Sequence, residues 1–449
     1  MKVKACALLT AMLASSVSFG STIAIIDSGV DIQHEALAGK IWTNSIDNTI
    51  NRRDDDKNGY KDDINGWNFF GNNARLINYK HNDLFNDDVE RFFRIQGDLL
   101  QGTASEEDLN WVKEMVQDQE FVGSLNKFGA YVHGTHVAAI AAKGNDLAEI
   151  LTVRLIPVEN PLQEIRKNVI SAMKENKPLN NIVKTVIKAG LSKLAESQGL
   201  SFGTVGSYVH GHKMDIANAS LGTGMMQARM IITPIVKLIS RGEEPSAELI
   251  EELAIHFLNE SVKSQGDIAR NAPETLFVFA AGNDGSNNDI YPVSPANIKL
   301  ANTISVGASL GRTQIARFSN FGMKVDVLAP GVAIESAIPN DLYLPLSGTS
   351  QASPYVAGLA AKVLDENPSL NAAELRTIIM ETVDVKAEFK DKVKSSGIVN
   401  TDRALFAAKA SLTSSLIEAI AESRNIVADI AEEGQIKTQN LSFKMPALF

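Results

Sequence analysis

The stretch STIAIIDSGV, residues 21–30, is a β-branched apolar run that stops on Asp-Ser-Gly. A continuous apolar run, in place of strict alternation, marks a strand buried on both faces, as in a parallel sheet. Its end presents one carboxylate, Asp27. Similar runs recur at ILTVRLIPV (150–158), MDIANASLG (214–222), TLFVFAAGN (275–283), TISVGAS (303–309) and KVDVLAPG (324–331). Helical patterns lie between them, such as AELIEELAIHFLNESV (247–262) after Pro245. Strands alternating with helices predict an α/β fold, a mostly parallel central sheet with helices on both faces. Ligands bind such sheets beyond the carboxyl ends of the strands, where Asp27, Ser220 and Asn283 all fall.

The composition fits a large globular core. The chain has 449 residues, 44% hydrophobic and 21% charged, which excludes a disordered or fibrous protein. A formal charge of −10 argues against nucleic acid or an anionic membrane as the main partner. Residues 1–20 combine two lysines (Lys2, Lys4), the apolar run ACALLTAMLA and small residues, the pattern of a secretory signal peptide too short for stable membrane insertion. The expectation is an exported protein, periplasmic or extracellular. The single cysteine, Cys6, lies inside that segment, so stability must come from the core, with bound metal a further candidate source.

Three segments read as additions to the sheet. Residues 71–130 are polar and acidic, with Ser105 and Asp108 at capping-box spacing ahead of LNWVKEMV (109–116), which predicts a helix. Residues 160–200 hold two helical patterns, EIRKNVISAM and NIVKTVIKAGLSKLAE, separated by Pro178. Residues 410–433 form an amphipathic stretch followed by a polar tail. The expected organisation is a signal over 1–20, a main domain over 21–409 with insertions near 71–130 and 160–200, and a C-terminal helical extension over 410–449.

SGTSQASPYVAGLAA, residues 347–361, runs from a small-residue turn into a helical pattern. A serine there has an exposed hydroxyl beside free backbone N–H groups, the geometry of a nucleophile, although Ser350 alone would read as a helix cap. YVHGTHVAAIAA, residues 131–142, supplies two histidines. His133 is expected at a helix start and exposed; His136, one turn further, packs in the core. No third ligand stands at metal-site spacing from this pair. Asp27, His133 and Ser350 lie far apart in the chain, so only the fold can unite them.

The sequence resembles the subtilisin-like serine proteases, the subtilases. The resemblance rests on IIDSGVDIQHEAL (25–37), HGTHVA (133–138), NASLG (218–222), AAGNDG (280–285), FSNFG (318–322), DVLAPG (326–331) and GTSQASPYVAGLAA (348–361), in family order. Gln351 stands where the family usually has Met, and Ala139 where Gly is common; neither is a reacting group. Asp-His-Ser is the order of the subtilisin triad. The resemblance implies a subtilisin-like fold and a serine endopeptidase that forms an acyl-enzyme intermediate. Ser350 would be the nucleophile, His133 the base and Asp27 its orienting carboxylate. The family match assigns the oxyanion donors to the Asn283 amide and the Ser350 N–H, and the substrate-binding strand and P1 pocket to Ser220, Leu221 and Gly222. Backbone pairing implies extended protein or peptide substrates. An alternative is a catalytically silent subtilase fold used for binding, against which the intact Asp27, His133, Asn283 and Ser350 speak.

DDDKNGYKDDING, residues 54–66, carries a second chemical signal. Asp54, Asp56, Asn58, Gly59 and Tyr60 match positions 1, 3, 5, 6 and 7 of an EF-hand loop, but position 12 is Asn65 in place of Glu. Asp62 or Asp63 must supply the remaining carboxylate. The candidate Ca²⁺ ligands are Asp54, Asp56, Asn58, Tyr60 and Asp63; a solvated acidic loop is the other reading, and calcium-dependent adhesion a third, weaker function. Many subtilases carry a similar calcium loop. HGH, residues 210–212, is a weaker metal candidate and reads as surface loop. Secreted subtilases usually carry an inhibitory prodomain, whereas only Ser21 and Thr22 stand between the expected signal and the Asp27 strand. Residues 21–449 are therefore expected to fold without one, restrained by the tail beyond 409 or by the 71–130 segment.

Overall fold

The computed structural model describes residues 20–156, 181–239 and 244–432. In chain order its elements begin with β1 (Thr22–Asp27), β2 (Gly66–Asn68), α1 (Asp87–Gln101), α2 (Glu106–Met115), α3 (Gln119–Ala142) and β3 (Glu149–Arg154). There follow α4 (Asn181–Gly211), β4 (Ile216–Ala219), α5 (Met225–Ile239), α6 (Ala247–Gln265), α7 (Asp267–Arg270), β5 (Leu276–Ala280), β6 (Thr303–Leu310), β7 (Gln314–Ile315) and β8 (Val327–Pro330). The last part holds β9 (Ile334–Ile338), β10 (Leu342–Leu346), α8 (Thr349–Glu366), α9 (Ala372–Glu381), β11 (Asp384–Val385), β12 (Gly397–Ile398), α10 (Thr401–Ala410) and α11 (Leu416–Ile426).

The apolar opening run becomes β1, and its residues alternate between two cores because successive strand side chains point to opposite faces. Ile23 and Ile25 pack with Val137 and Ala141 of α3 and Val356 and Ala360 of α8. Ala24 and Ile26 pack on the other side with Val205 and Val209 of α4. The sheet order is β11-β12-β8-β6-β5-β4-β1-β3-β2, with β7 paired to β6. β1 runs parallel to both neighbours, Ile26 in register with Val153 on one side and Ala219 on the other. The chain thus extends the sheet from β1 first in one direction and later in the other. That switch point opens a crevice at the strands' carboxyl ends.

α3 and α8 cross in close contact over this sheet. A Cβ built on Gly358 of α8 would stand 2.5 Å from the Ala141 carbonyl oxygen of α3, so only glycine fits. A third layer of α4, α5 and α6 has its own core around Leu191, Ile232 and Phe257. A satellite core joins α1, α2 and the start of α3 to the β9–β10 hairpin through Phe92, Phe93, Phe128 and Leu344.

Several sequence expectations shift. Ser105 does cap α2, accepting from the Asp108 N–H at 3.1 Å. The boundary expected at 130 falls inside α3, whose N-cap is Asp118; the helical pattern begins well before the histidines. His133 therefore lies in the middle of a helix and is 4% exposed, not at an exposed helix start. The pattern EIRKNVISAM lies outside the described residues. NIVKTVIKAGLSKLAE opens α4, which runs on to Gly211; its Ile187, Leu191 and Ala195 pack with α5 and α6, and only the later Val205, Tyr208 and Val209 cover the sheet. The residues after α11 are strapped to the β11–β12 edge: Arg403 donates to the Val427 carbonyl at 2.8 Å and to Asp429 at 2.9 Å, and Glu432 accepts from the Arg312 N–H at 2.8 Å. None of the described tail residues lines the crevice by Asp27.

Gly358→Ala is expected to destabilise the fold by roughly 1–3 kcal/mol, because a backbone carbonyl cannot move aside. Urea unfolding would show a lower midpoint; an unchanged midpoint would mean that α3 and α8 do not depend on this close approach.

Candidate active site

The crevice at the switch point gathers residues from five elements. Asp27 ends β1 and is fully buried. His133 projects from α3, and its Nδ1 lies 2.7 Å from Asp27 Oδ1. A carboxylate oxygen can only accept, so the ring proton sits on Nδ1 and Nε2 is the basic nitrogen. The Ser28 N–H also donates to Asp27 Oδ1, at 2.7 Å. α3 reaches this close because residue 134 is glycine: a Cβ there would overlap the Gly29 carbonyl oxygen. Thr135 adds a tie, its hydroxyl accepting from the Asp31 N–H at 2.9 Å.

Ser350 is the second residue of α8, after Gly348 at the N-cap, and 6% exposed. A chain of small polar groups fixes the turn to β4. Ser353 Oγ donates to Asn218 Oδ1 at 2.7 Å, Asn218 Nδ2 donates to Ser220 Oγ at 2.9 Å, and Ser220 Oγ donates to the Ser350 carbonyl at 3.0 Å. Neither Ser353 nor this role of Asn218 was signalled by the sequence reading, although both stand within its motifs. Asn283 follows β5, and its Oδ1 accepts from the Thr349 N–H and hydroxyl, both at 2.9 Å. Its Nδ2 is left as the end that can donate to a ligand. Asp27, His133, Ser220, Leu221, Gly222, Asn283 and Ser350 all line one cavity of about 940 Å³. Every residue expected at the catalytic and substrate site is therefore brought together there.

His136 has a different role. It is fully buried, its Nε2 lies 3.0 Å from the Leu344 carbonyl, and burial holds its pKa down at about 3. It stays neutral and pins the β9–β10 hairpin to α3.

The acidic loop folds back on itself. Asp54 accepts from the N–H groups of Asn58 at 3.0 Å and Gly59 at 2.9 Å. Asn58 Nδ2 donates to Asp56 at 3.0 Å and to Asp63 at 2.9 Å, while the Tyr60 ring packs on Trp67, Phe69 and Tyr208. Asn65 donates to the Trp42 carbonyl at 2.9 Å, away from the loop's carboxylates. Among the described residues, two groups of side chains could each hold a metal, Asp47 with Asp54 and Asp56, and Asp56 with Asp63 and His212. Asp47 was not foreseen, since it lies outside the repeat spacing. His212 corrects the reading of residues 210–212 as surface loop: it closes α4 and approaches Asp63 Oδ2 at 3.2 Å. Asp63 also accepts from Asn44 at 2.9 Å and Tyr208 at 2.9 Å. Burial alone would raise its pKa, but the hydrogen bonds from His212, Asn58 and Tyr208 prevail and hold it below the usual range.

A family model described as the subtilase family matches residues 18–405. Among curated proteins, Subtilisin BL of Lederbergia lenta is 36% identical over 129 residues, 29% of this chain and 45% of that protein. A thermophilic serine proteinase of Bacillus sp. (strain AK1) is 44% identical over 110 residues, 24% of this chain and 26% of that protein. The chain thus spans less than half the length of these curated relatives. A crystal structure of a cold adapted subtilisin-like serine proteinase aligns over 85% of this chain and 88% of its own, with 19% identity and a TM-score of 0.42.

Asn218→Ala would leave the buried hydroxyls of Ser353 and Ser220 without their shared partner. A loss of roughly 1–3 kcal/mol is expected, read as a lower melting temperature; equal melting would mean that the bond chain does not hold α8 to β4.

Proposed function

The chain belongs to the subtilase family, and from that premise we propose that it is an exported serine endopeptidase acting on extended segments of proteins. The observation that carries the reading is the convergence of the buried Asp27–His133 pair with Ser350 and Asn283 in one cavity. In this mechanism Ser350 Oγ attacks the substrate carbonyl while His133 Nε2 takes its proton. Asp27 keeps the other ring proton on Nδ1 and stabilises the imidazolium that forms. The tetrahedral oxyanion is met by Asn283 Nδ2 and the Ser350 N–H at the positive end of α8. Collapse releases the amine, which takes the proton from His133, and leaves Ser350 acylated; water then repeats the sequence and frees the acid. Substrate backbone would pair along Ser220, Leu221 and Gly222, the P1 side chain entering between them and Ala280–Gly282.

Export rests on the residue pattern of 1–20. No helix among the described residues is long and apolar enough to cross a membrane.

A structural Ca²⁺ at the acidic loop belongs to the same proposal, and the residues suit it. Asp47 Oδ2 accepts from the Asp62 N–H at 3.0 Å, while its buried Oδ1 makes no well-formed hydrogen bond among the described residues, only the Asp55 backbone lying near the carboxylate. Burial, and then the charge of Asp63, push the Asp47 carboxyl up. A buried carboxylate oxygen facing Asp54 and Asp56 is the environment a hard cation neutralises. Asp47, Asp54 and Asp56 would hold it. Asn58 and Asp63, already joined to each other and to α4, would brace the loop. Bound calcium would supply positive charge that fixes the loop against the sheet edge.

A fluorophosphonate probe tests the enzyme directly. Covalent labelling of the wild type, lost in Ser350→Ala along with casein hydrolysis, is expected; an unlabelled wild type would favour the silent binding scaffold. Asn283→Ala should lower kcat by on the order of 100-fold with little change in KM, the scale known for loss of one such donor in subtilisin itself.

Chelation should lower the melting temperature, because a metal bound only by the native state stabilises it by mass action. Asp47→Asn should remove most of that chelator-sensitive shift. Equal chelator response in wild type and variant would take Asp47 out of the site.

A further inference from the structure

The cavity holding Ser350 is not walled by the sheet ends alone. One side comes from α1, through Gln96, Leu99 and Leu100, beside Ala130, one turn before His133 on α3. This helix belongs to the acidic segment between Asp27 and His133, yet its inner face is apolar. Phe92, Phe93 and Leu99 sit in a core with Leu344 and Leu346 of β10. Gly97 lies so close to Ala333 that an added Cβ would be 3.0 Å from the Ala333 Cβ. Ala333 in turn donates its N–H to Ser347 Oγ at 2.8 Å. β10 then leads through Ser347 into Ser350. The helix is therefore anchored to the hairpin that delivers the proposed nucleophile.

The peptide's direction decides what α1 meets. With the P1 side chain between Ser220–Gly222 and Ala280–Gly282, the chain beyond the scissile bond would leave on the side of the cavity lined by His133, Ser347 and α1. The cavity's charged side chains outside the Asp27–His133 pair, Asp284 and Arg229, belong to the other end: Asp284 touches Gly224, and Arg229 lies on α5, paired with Glu251 at 3.4 Å. Among the described residues the α1 wall carries no charge. The helix turns Arg94 outward, to Glu90 at 2.9 Å. Gln96 and Leu100 are half-buried, so both keep surface for a ligand.

We propose that α1 is a specificity wall for the residue following the scissile bond, and that Leu100 selects an apolar side chain there. The inference rests on the protease reading above. An apolar residue against Leu100 gains burial, whereas a carboxylate would lose hydration with no cation on α1's inner face to replace it.

Two quenched peptides, alike except for leucine or aspartate after the scissile bond, test this. The wild type should favour leucine by about tenfold in kcat/KM, the usual scale of apolar discrimination. Leu100→Ser should cut that ratio to about twofold, and Gln96→Leu should raise it, a gain that misfolding cannot produce. Arg94→Ala, on the outer face, should keep the wild-type ratio. The wall is overturned if Leu100→Ser and Gln96→Leu both keep that ratio, or if the wild type prefers aspartate, while the enzyme is labelled by fluorophosphonate and cleaves. A wild type that neither labels nor cleaves removes the protease reading, and this inference with it.

Discussion

A 2.7 Å hydrogen bond between His133 Nδ1 and Asp27 Oδ1 joins a strand end to the middle of a helix, and much of the architecture serves that contact. Burying a carboxylate and an imidazole costs several kcal/mol unless each finds its partner. The pair can meet only if α3 lies directly on the turn after β1. Gly134 permits that approach, and Thr135 secures it by accepting from Asp31. The same helix holds α8 in place at Gly358, so one crossing of two helices sets both the proposed base and the proposed nucleophile. A side chain at either glycine would push these groups apart.

Ser350 depends on a second arrangement, the bond chain through Ser353, Asn218 and Ser220. These hydroxyls and amides are buried, and each meets a complementary partner, which is the condition for polar groups to specify a geometry in place of destabilising it. The chain spans β4 and α8, the two sides of the cavity. Thr349 does the same for Asn283 by holding its carbonyl oxygen, so the amide can present only its donor end.

The additions to the sheet are built into the site and the core. α1 shares a core with β10, the strand that feeds the nucleophile turn. α4 presses Tyr208 and His212 onto Asp63, tying the acidic loop to the helical layer. The segment after α11 is held at the far edge of the sheet by Arg403 and Arg312, away from the cavity. A restraint on the site by the described tail residues has no contact to act through.

The sequence by itself determined the central parallel strands β1, β3, β4, β5, β6 and β8, because strands buried on both faces must be apolar on both; the short β2, β7, β11 and β12 at the sheet's margins carry no such run. It also pointed to Asp27, His133, Asn283 and Ser350 through motifs shared with the family, and the fold brings these four to one cavity. The helix around His133 was misread because its apolar pattern extends upstream into a segment whose polar residues face solvent, and local pattern does not show where a helix will be covered. Asp47 was missed, and His212 set aside as surface loop, for a related reason. Asp47 stands outside the regular spacing of the acidic loop, and His212 lies some 150 residues downstream in the chain, at the end of a helix. Only packing decides which distant side chains face one point. Contact between remote residues is fixed by how helices cross the sheet, and that depends on the summed fit of many side chains, which no short stretch of sequence encodes.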